Sequence, residues 1–245
     1  MNEHIQSEQP QNEQPPIVFD DVSVDFGERP ALKNVSVALG QKRIAVIGSN
    51  GSGKSTFARL LNGLVTPTSG SVRVHGFDPM KQGRELRQTV GFIFSNPDAQ
   101  IVMPTVSEDV AFSLRGRLLH GRKLSRIEVA DRVAEALETF GLTPHAEAPA
   151  HSLSGGQKQL LALCSVLITE PSLVVADEPT ALLDAVNTKR ISAHLLDALP
   201  QQVVLVTHNM ALAARCDVAV RFEGGRLVDL GEPAAVIDSY TKDHA

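Results

Sequence analysis

Cysteine is scarce in this sequence, and the two that occur, Cys164 and Cys216, lie far apart in apolar surroundings. This arrangement indicates reduced, buried thiols in the cytoplasm rather than a disulfide framework. No Cys-x-x-Cys pair is present, which argues against a structural zinc site. An excess of basic charge is also missing, because the net charge is -5. That balance argues mildly against a nucleic-acid-binding protein, which usually carries a basic patch.

Long apolar runs are absent as well. The longest near-continuous one, Leu160 to Ile168, is far too short to span a bilayer. The N-terminus has no apolar signal-peptide core, and residues 1–16 are rich in Gln, Glu, Asn and Pro. We therefore predict a disordered tail over 1–16 and one ordered domain over 17–245. If the protein works at a membrane, a partner must hold it there.

Apolar patterning predicts an α/β fold. Continuous apolar runs such as Leu173–Ala176 and Val203–Val206 are typical of parallel strands that are covered on both faces. Further strands are predicted at Ile17–Val24 with a break at Asp20-Asp21, Leu32–Leu39, Ile44–Ile47, Ser71–Val74 and Val90–Phe94, and a hairpin at Val218–Val228. Helical spacing predicts helices at Val106–Leu119, Ser125–Phe140, Ser154–Thr169 and Asn187–Leu199, and a last one from Pro233. The α/β core is expected over 17–95 and 153–245, with a helical subdomain over about 96–152.

Two local signals mark the ends of a helix in that subdomain. Ser125 and Glu128 have the spacing of a capping box, in which each side chain satisfies a main-chain N–H group at the start of a helix. Gly141 suits the position just after the last turn, where the backbone adopts a left-handed conformation. The helix between them is therefore the best-defined element predicted for this region.

Glycines and a lysine between a predicted strand and a predicted helix form the most informative motif. The run Gly48–Thr56 matches G-x-x-x-x-G-K-[ST] and follows the strand Ile44–Ile47. Its glycines let main-chain N–H groups surround an anion, and the next helix adds its partial positive charge. Lys54 is expected to reach the β- and γ-phosphates of a nucleoside triphosphate, and Ser55 to hold Mg²⁺. The predicted nucleotide contacts are Asn50, Gly51, Gly53, Lys54, Ser55 and Thr56. The alternative is a glycine-rich turn without a ligand.

An acidic pair ends another predicted buried strand. Asp177 is suited to reach Mg²⁺, directly or through water, and Glu178 is placed to accept a proton from an attacking water. In open α/β sheets, ligands lie at the carboxyl ends of the strands, which is where this pair falls. An Asp-Glu pair by itself is more often an acidic turn. The upstream phosphate loop favours the functional interpretation.

A second glycine motif begins the apolar helix of the third quarter of the chain. Ser154 is a good N-cap, and Gly155 and Gly156 expose main-chain N–H groups at the start of that helix. Such an arrangement can bind an anion. By itself, the motif is also compatible with a tight turn into a buried helix.

Four motifs follow one another in a fixed order: Gly48–Thr56, Leu153–Gln157, Asp177–Thr180 and His208. In this order they resemble the ATP-binding cassette (ABC) ATPases, and the resemblance covers essentially everything from Ile17 onward. It implies a RecA-like P-loop NTPase fold with a mixed sheet, antiparallel N-terminal strands and an inserted helical subdomain. It also implies ATP hydrolysis, and the absence of an Asn-Lys-x-Asp guanine-reading motif favours ATP further.

The resemblance implies that the complete site needs two subunits. Two cassettes pair head to tail, and the ATP on the phosphate loop of one is closed over by Ser154, Gly155 and Gly156 of the other. Residues 181–184 resemble the D-loop, which communicates across this dimer. A homodimer is favoured over pairing with a paralogue.

Two further roles are implied by the same resemblance. His208 resembles the switch histidine that contacts the γ-phosphate, and it joins Lys54 and Glu178 as a catalytic residue. A lone histidine at a strand end is otherwise usually a polar cap. Phe26 resembles the aromatic residue that stacks on adenine, although a phenylalanine before a turn is more often part of a core.

The region after the strand Val90–Phe94 indicates which group of ABC ATPases the chain resembles. Residues 96–100 and 104–112 resemble the energy-coupling-factor (ECF) importers of vitamins and metals, in which the cassette docks on a membrane coupling protein. Most cassettes have Gln where this chain has Ser95, and many have Arg where it has Leu160. The shorter Ser95 resembles the biotin ATPases of the group more than the cobalt or nickel ones. Gln100 has two interpretations: it stands in for the missing glutamine, or, as we expect, it faces the membrane partner.

The resemblance thus implies an ATP- and Mg²⁺-dependent subunit that energises biotin uptake from the cytoplasmic face of the membrane. Its implied partners are a second ATPase subunit, a coupling protein and a substrate-binding protein, with no nucleic acid. Alternatives are a cobalt or nickel importer, another ABC importer, and a non-transport ABC ATPase. DNA-repair cassettes carry long coiled-coil inserts or zinc motifs, and translation-associated ones have two cassettes per chain. A nucleotide-sensing scaffold is disfavoured by the presence of Glu178 and His208.

Overall fold

The structure is a computed structural model, and it describes residues 17–27, 29–119, 121–181 and 183–244. The tail predicted over 1–16 lies outside the described residues, as do Glu28 in a predicted turn and Leu182 in the predicted D-loop. The strands are β1 (Ile17–Phe26), β2 (Arg29–Leu39), β3 (Arg43–Gly48), β4 (Ser69–Arg73), β5 (Val90–Ile93), β6 (Leu173–Asp177), β7 (Gln202–Val206), β8 (Val218–Glu223) and β9 (Arg226–Gly231). The helices are α1 (Lys54–Leu60), α2 (Gly83–Thr89), α3 (Val106–Ser113), α4 (Arg126–Thr139), α5 (Gly155–Leu167), α6 (Ala185–Ser192), α7 (Met210–Ala213) and α8 (Pro233–Asp243).

The strands form two sheets. The larger has the order β5-β6-β7-β3-β8-β9, in which all neighbours are parallel except β8 and β9, which form an antiparallel hairpin. The smaller has the order β2-β1-β4 and is antiparallel. The predicted α/β class, with a mixed sheet and antiparallel N-terminal strands, is therefore confirmed.

The larger sheet is covered on both faces, which explains its nearly continuous apolar strands. One face packs with the smaller sheet and α1, where Phe57 lies against Phe19 and Phe222. The other face packs with α3, α4 and α5 in a second apolar cluster that includes Val110 and Leu137. The helical segment thus shares a core with the sheet. The predicted boundaries of a separate helical subdomain, about 96–152, stay a prediction.

The capping signals of the helices were predicted correctly. Ser125 and Glu128 form both hydrogen bonds of a capping box at the start of α4, and Gly141 follows the helix with a φ of 63°. The N-terminal residue of α8 is Pro233, as expected for a residue without a main-chain N–H group. Each of these signals depends on residues within a few positions of a helix end, so the sequence alone can predict it.

Two predicted boundaries were wrong. β1 does not break at Asp20-Asp21, because a bulge absorbs the pair: Asp21 takes a φ of 49°, and its main-chain N–H donates to Ser36 Oγ at 2.9 Å. The helix predicted to reach Leu119 ends at Ser113. The chain turns away at Gly116, whose φ is 74°.

The helix predicted over 187–199 begins earlier and changes its winding. Asp184 caps α6 by accepting from the N–H of Asn187 at 2.8 Å, and residues 193–198 form a wider π-helical turn. The buried Arg43 guanidinium donates to the carbonyls of Leu196 and Gln201 at 2.9 and 2.7 Å, and it also contacts that of Leu199. Arg43 thereby satisfies the carbonyls that an ordinary helix end leaves unpaired.

Among the described residues, no helix combines the length and the apolar character needed to cross a bilayer.

Helices α2 and α7 were not predicted. Both are short, and α7 is held by Asn209, whose side chain accepts from the N–H groups of Ala211 and Leu212 at 3.1 and 3.3 Å.

Candidate functional site

Three neighbouring strands bring the predicted catalytic residues to one edge of the larger sheet. β7 lies between β3 and β6, and all three run parallel. The phosphate-loop motif follows β3, the acidic pair ends β6, and His208 follows β7. The carboxyl ends of parallel strands therefore place together residues that are far apart in the sequence.

The loop Gly48–Thr56 has free space beside its main chain, enough for an anion to approach. Asn50 and Gly51 are exposed, and a Cβ added at Gly51 would meet nothing within 4 Å. Gly53 has a φ of 107°, and a Cβ there would lie 2.7 Å from the carbonyl oxygen of Ala31. Only glycine fits that position. Ser55 and Thr56 follow in the first turn of α1, half-buried. The open cradle and its backbone geometry fit a phosphate group.

Lys54 is buried at the base of this loop. Its ammonium donates to the carbonyl oxygens of Gly48 and Ser49, both at 2.8 Å. Burial lowers the pKa of Lys54, while the charges of Glu178 and Asp177 raise it in part. The ammonium is thus held in place by main-chain acceptors, on the side of the loop where phosphate oxygens would provide stronger, charged acceptors.

Ser55 and Asp177 form a pair of oxygen donors beside the loop. The Ser55 hydroxyl donates to Asp177 Oδ1 at 3.1 Å. Burial raises the pKa of Asp177, and the hydrogen bond from Ser55 together with the charges of Arg59 and Lys54 offsets part of that effect. A hydroxyl and a partly buried carboxylate are the ligands that Mg²⁺ prefers, so these residues fit that ion.

Glu178 and His208 are bonded to each other. His208 Nδ1 lies 2.8 Å from Glu178 Oε2, and the main-chain N–H of His208 donates to the same oxygen at 3.4 Å. Because a carboxylate only accepts, Nδ1 carries the hydrogen in this arrangement. Glu178 adopts a φ of 53°, which is rare outside glycine. The sequence predicted a role for each residue separately, but it gave no sign of this contact.

Two hairpins flank the phosphate loop. Phe26 ends β1 and is 55% exposed, and the hairpin that it begins touches Gly53 through Ala31. The turn between β8 and β9 reaches the loop from the opposite end of the chain, because the N–H of Gly225 donates to the carbonyl of Ser52 at 3.0 Å. The sequence predicts a hairpin over this turn but not its contact with the phosphate loop. No local signal in the sequence reports it.

The second glycine motif lies at the start of α5. The Ser154 hydroxyl accepts from the N–H of Gln157, and the Gln157 side chain accepts from the N–H of Ser154, at 3.3 and 2.9 Å. A Cβ at Gly155 would meet nothing within 4 Å, whereas one at Gly156 would lie 2.5 Å from the side chain of Asn187 in α6. Within the described part of the chain, no hydrogen bond joins this motif to the phosphate loop.

The two glycines are therefore expected to respond differently to substitution. Gly156→Ala should lower the free energy of unfolding by about 1 kcal/mol, because the added methyl group displaces the Asn187 amide, which then loses its hydrogen bond to Asp184. Gly155→Ala should leave it nearly unchanged, because the space is open, while reducing ATP-dependent pairing of subunits. Denaturant unfolding and size-exclusion chromatography with ATP measure the two effects. Equal destabilisation by both variants would contradict this assignment.

Ser95 is exposed beside a small cavity of about 120 Å³, which Gly155 and Gln159 also line. Gln159 is buried, and its amide donates to the carbonyl of Phe94 at 3.3 Å. Gln100 is half-buried, and its amide forms hydrogen bonds within the chain, while its contact with a partner stays a prediction. The amide donates to the carbonyl of Ala162 at 3.3 Å and accepts from the N–H of Phe94 at 3.4 Å.

Comparison with known proteins gives one family and close relatives. The family model for ABC transporters matches residues 32–181. The biotin transport ATP-binding protein BioM of Rhizobium etli is 43% identical over 219 residues, which cover 89% of this chain and 94% of that protein. An energy-coupling factor transporter ATP-binding protein of Methanospirillum hungatei, EcfA1, is 43% identical over 193 residues, which cover 77% of this chain and 68% of that protein.

Solved structures agree with these relatives. CbiO1 from Clostridium perfringens, described as part of the ABC transporter complex cbiONQ, superposes with a TM-score of 0.79 at 28% identity. The match covers 95% of this chain and 94% of that one. The ATP-binding cassette MJ0796, solved as a dimer bound to ADP and phosphate, gives a TM-score of 0.77 at 26% identity and covers 89% of this chain and 98% of that one.

Proposed function

The chain belongs to the ABC transporter family, and from that membership we propose that it hydrolyses ATP to energise the uptake of biotin. It is an ATP-hydrolysing, ATP-binding subunit of an ECF-type transporter. One observation carries the proposal best: two directly bonded pairs, Ser55 with Asp177 and Glu178 with His208, lie at one edge of the sheet beside the phosphate loop. Lys54 is held at the base of that loop.

The proposed chemistry assigns one role to each of these residues. Lys54 contacts the β- and γ-phosphates of ATP, and Glu178 accepts a proton from the attacking water. Ser55 and Asp177 would hold Mg²⁺, which neutralises charge on the phosphate oxygens when it is bound. His208 contacts the γ-phosphate, and Phe26 stacks on the adenine ring.

We propose that two copies pair head to tail, so that Ser154, Gly155 and Gly156 of each copy close over the ATP of the other. The open space at Gly155 supports this arrangement, because a phosphate can approach the main chain there. Binding energy that is available only in the closed dimer shifts the pair toward closure, and hydrolysis reverses the shift. The dimer form of the cassette MJ0796 is consistent with such pairing.

The proposed membrane partners are a coupling protein and a substrate-binding protein, which place this subunit at the cytoplasmic face of the membrane. Ser95 and the residues that follow it are the proposed contact with the coupling protein. Biotin is proposed on two grounds: the short Ser95 where most cassettes have glutamine, and the relation to BioM over 94% of its length.

Uptake measurements test the substrate. Deleting the gene for this chain should reduce uptake of labelled biotin to the background level, and the wild-type chain should restore it. A chain with Glu178→Gln should fail to restore it, because uptake requires hydrolysis. Cobalt and nickel uptake should not change. Loss of cobalt or nickel uptake with intact biotin uptake would replace biotin by a metal ion, while the proposed ATP chemistry would stand.

A further inference from the structure

A basic segment connects α3 to α4. Residues 110–127 contain five Arg or Lys side chains and no Asp or Glu, although the whole chain has a net charge of -5. The five cations are Arg115, Arg117, Arg122, Lys123 and Arg126. Such a local concentration in an acidic protein is more than a solvated face requires, because solvated faces usually mix both signs.

Two of the five cations are used within the protein. The Arg117 guanidinium donates to the carbonyls of Gln88 and Arg87 at 3.0 and 3.3 Å, at the end of α2. Arg122 forms an ion pair with Glu128. Among the described residues, no carboxylate pairs with Arg115, Lys123 or Arg126, and all three side chains are exposed. These three are therefore available to an external anion.

Large apolar side chains are exposed in the same segment. Phe112 is 41% exposed, Leu118 60% and Ile127 75%. A groove of about 500 Å³ separates the end of α3 from the start of α4, and Phe112, Arg115 and Lys123 all contribute to it. The groove also touches Glu108, but that carboxylate is already bonded to Thr105 at the start of α3. The groove thus joins two of the unpaired cations to an exposed aromatic side chain, and the other exposed cation and apolar residues belong to the same segment of the chain.

We propose that this basic segment binds the anionic headgroups of a phospholipid membrane. A lipid surface satisfies both properties at once, because phosphates pair with Arg and Lys while Leu118 and Phe112 enter the headgroup boundary. A nucleic acid would leave Leu118 and Ile127 without a partner. An acidic protein would match the charge, but the long, separate cations lack the fixed geometry of a paired site. The inference concerns lipid contact alone and does not depend on the transported substrate.

Vesicle co-sedimentation of the full-length chain tests this proposal. Wild-type protein should bind vesicles of phosphatidylcholine with phosphatidylglycerol and not vesicles of phosphatidylcholine alone, and high salt should release it. The triple variant Arg115→Gln, Lys123→Gln, Arg126→Gln should partition about 100-fold more weakly, because each cation contributes about fivefold near an anionic surface. Leu118→Ser should weaken binding further without changing the net charge.

A matched control separates a specific surface from a general effect of charge. The variant Lys42→Gln, Arg73→Gln, Arg226→Gln removes the same charge from exposed positions outside the segment, and it should bind vesicles as the wild type does. Circular dichroism checks that both triple variants are folded. No binding by the wild type, or equal losses in both triple variants, would overturn the proposal. Binding to an acidic polyglutamate peptide but not to vesicles would assign the surface to a protein partner instead.

Discussion

Lys54→Ala is expected to weaken ATP binding by about 100-fold or more. A hydrogen bond to a charged group contributes about 1.5–3 kcal/mol, and the proposed role of Lys54 involves two phosphates. In the structure the ammonium is buried and already faces the loop through the carbonyls of Gly48 and Ser49. Isothermal titration calorimetry with ATP measures the dissociation constant for the wild-type and variant chains.

Two controls make this result interpretable. Lys42→Ala removes an exposed lysine just before β3, at the end of the strand opposite to the phosphate loop, and should leave ATP affinity unchanged. Denaturant unfolding should show that Lys54→Ala remains folded. The variant loses two hydrogen bonds, but it no longer has to bury a charged ammonium, whose unfavourable burial is what lowers the pKa of Lys54. An ATP affinity equal to that of the wild type, in a folded variant, would refute the assignment of the loop.

Glu178→Gln should retain ATP binding and reduce turnover by about 100-fold or more, because an amide cannot accept the proton of the attacking water. The substitution preserves size and leaves the left-handed backbone at this position unchanged, so stability should change little. The same change removes the carboxylate that now accepts from His208 Nδ1. Phosphate release under saturating ATP measures turnover.

The chain provides a matched control for this variant. Glu170 has nearly the same backbone conformation, with a φ of 51° against 53° for Glu178, but it lies beyond the end of α5. Glu170→Gln should therefore leave turnover unchanged. If Glu178→Gln hydrolyses ATP at the wild-type rate, another residue must accept the proton.

Local devices account for what the sequence predicted best. The capping box at Ser125 and the N-cap at Ser154 involve residues three positions apart, and both are formed as expected. The wider winding after α6 could not be predicted. It depends on Arg43, which is distant in the sequence and satisfies carbonyls there only in the folded chain. Tertiary contacts of this kind override helical spacing.

In the candidate site, too, the residue types could be predicted from the sequence, whereas the contacts between distant residues could not. The motifs gave Lys54, Asp177, Glu178 and His208 by residue type and order, and parallel strands explain why they meet. The hydrogen bond between Glu178 and His208 joins two separate motifs side chain to side chain. The Asn187 side chain lies so close to Gly156 that a Cβ there would be 2.5 Å from it. Such distances depend on how strands and helices pack, and one sequence carries no record of them.

The position of β3 in the sheet has a consequence for biosynthesis. The strand ends at Gly48, whereas its neighbours β7 and β8 begin only at Gln202 and Val218, so a ribosome must make all of the intervening sequence before β3 can pair. At a synthesis rate of about 5–20 residues per second, this apolar strand stays unpaired for roughly 10 s or more before β7 has been made. Gly225, which bonds to the phosphate loop, is made later still. Nucleotide therefore cannot guide the early folding of its own site, because the strands on both sides of β3 are made long after the phosphate loop.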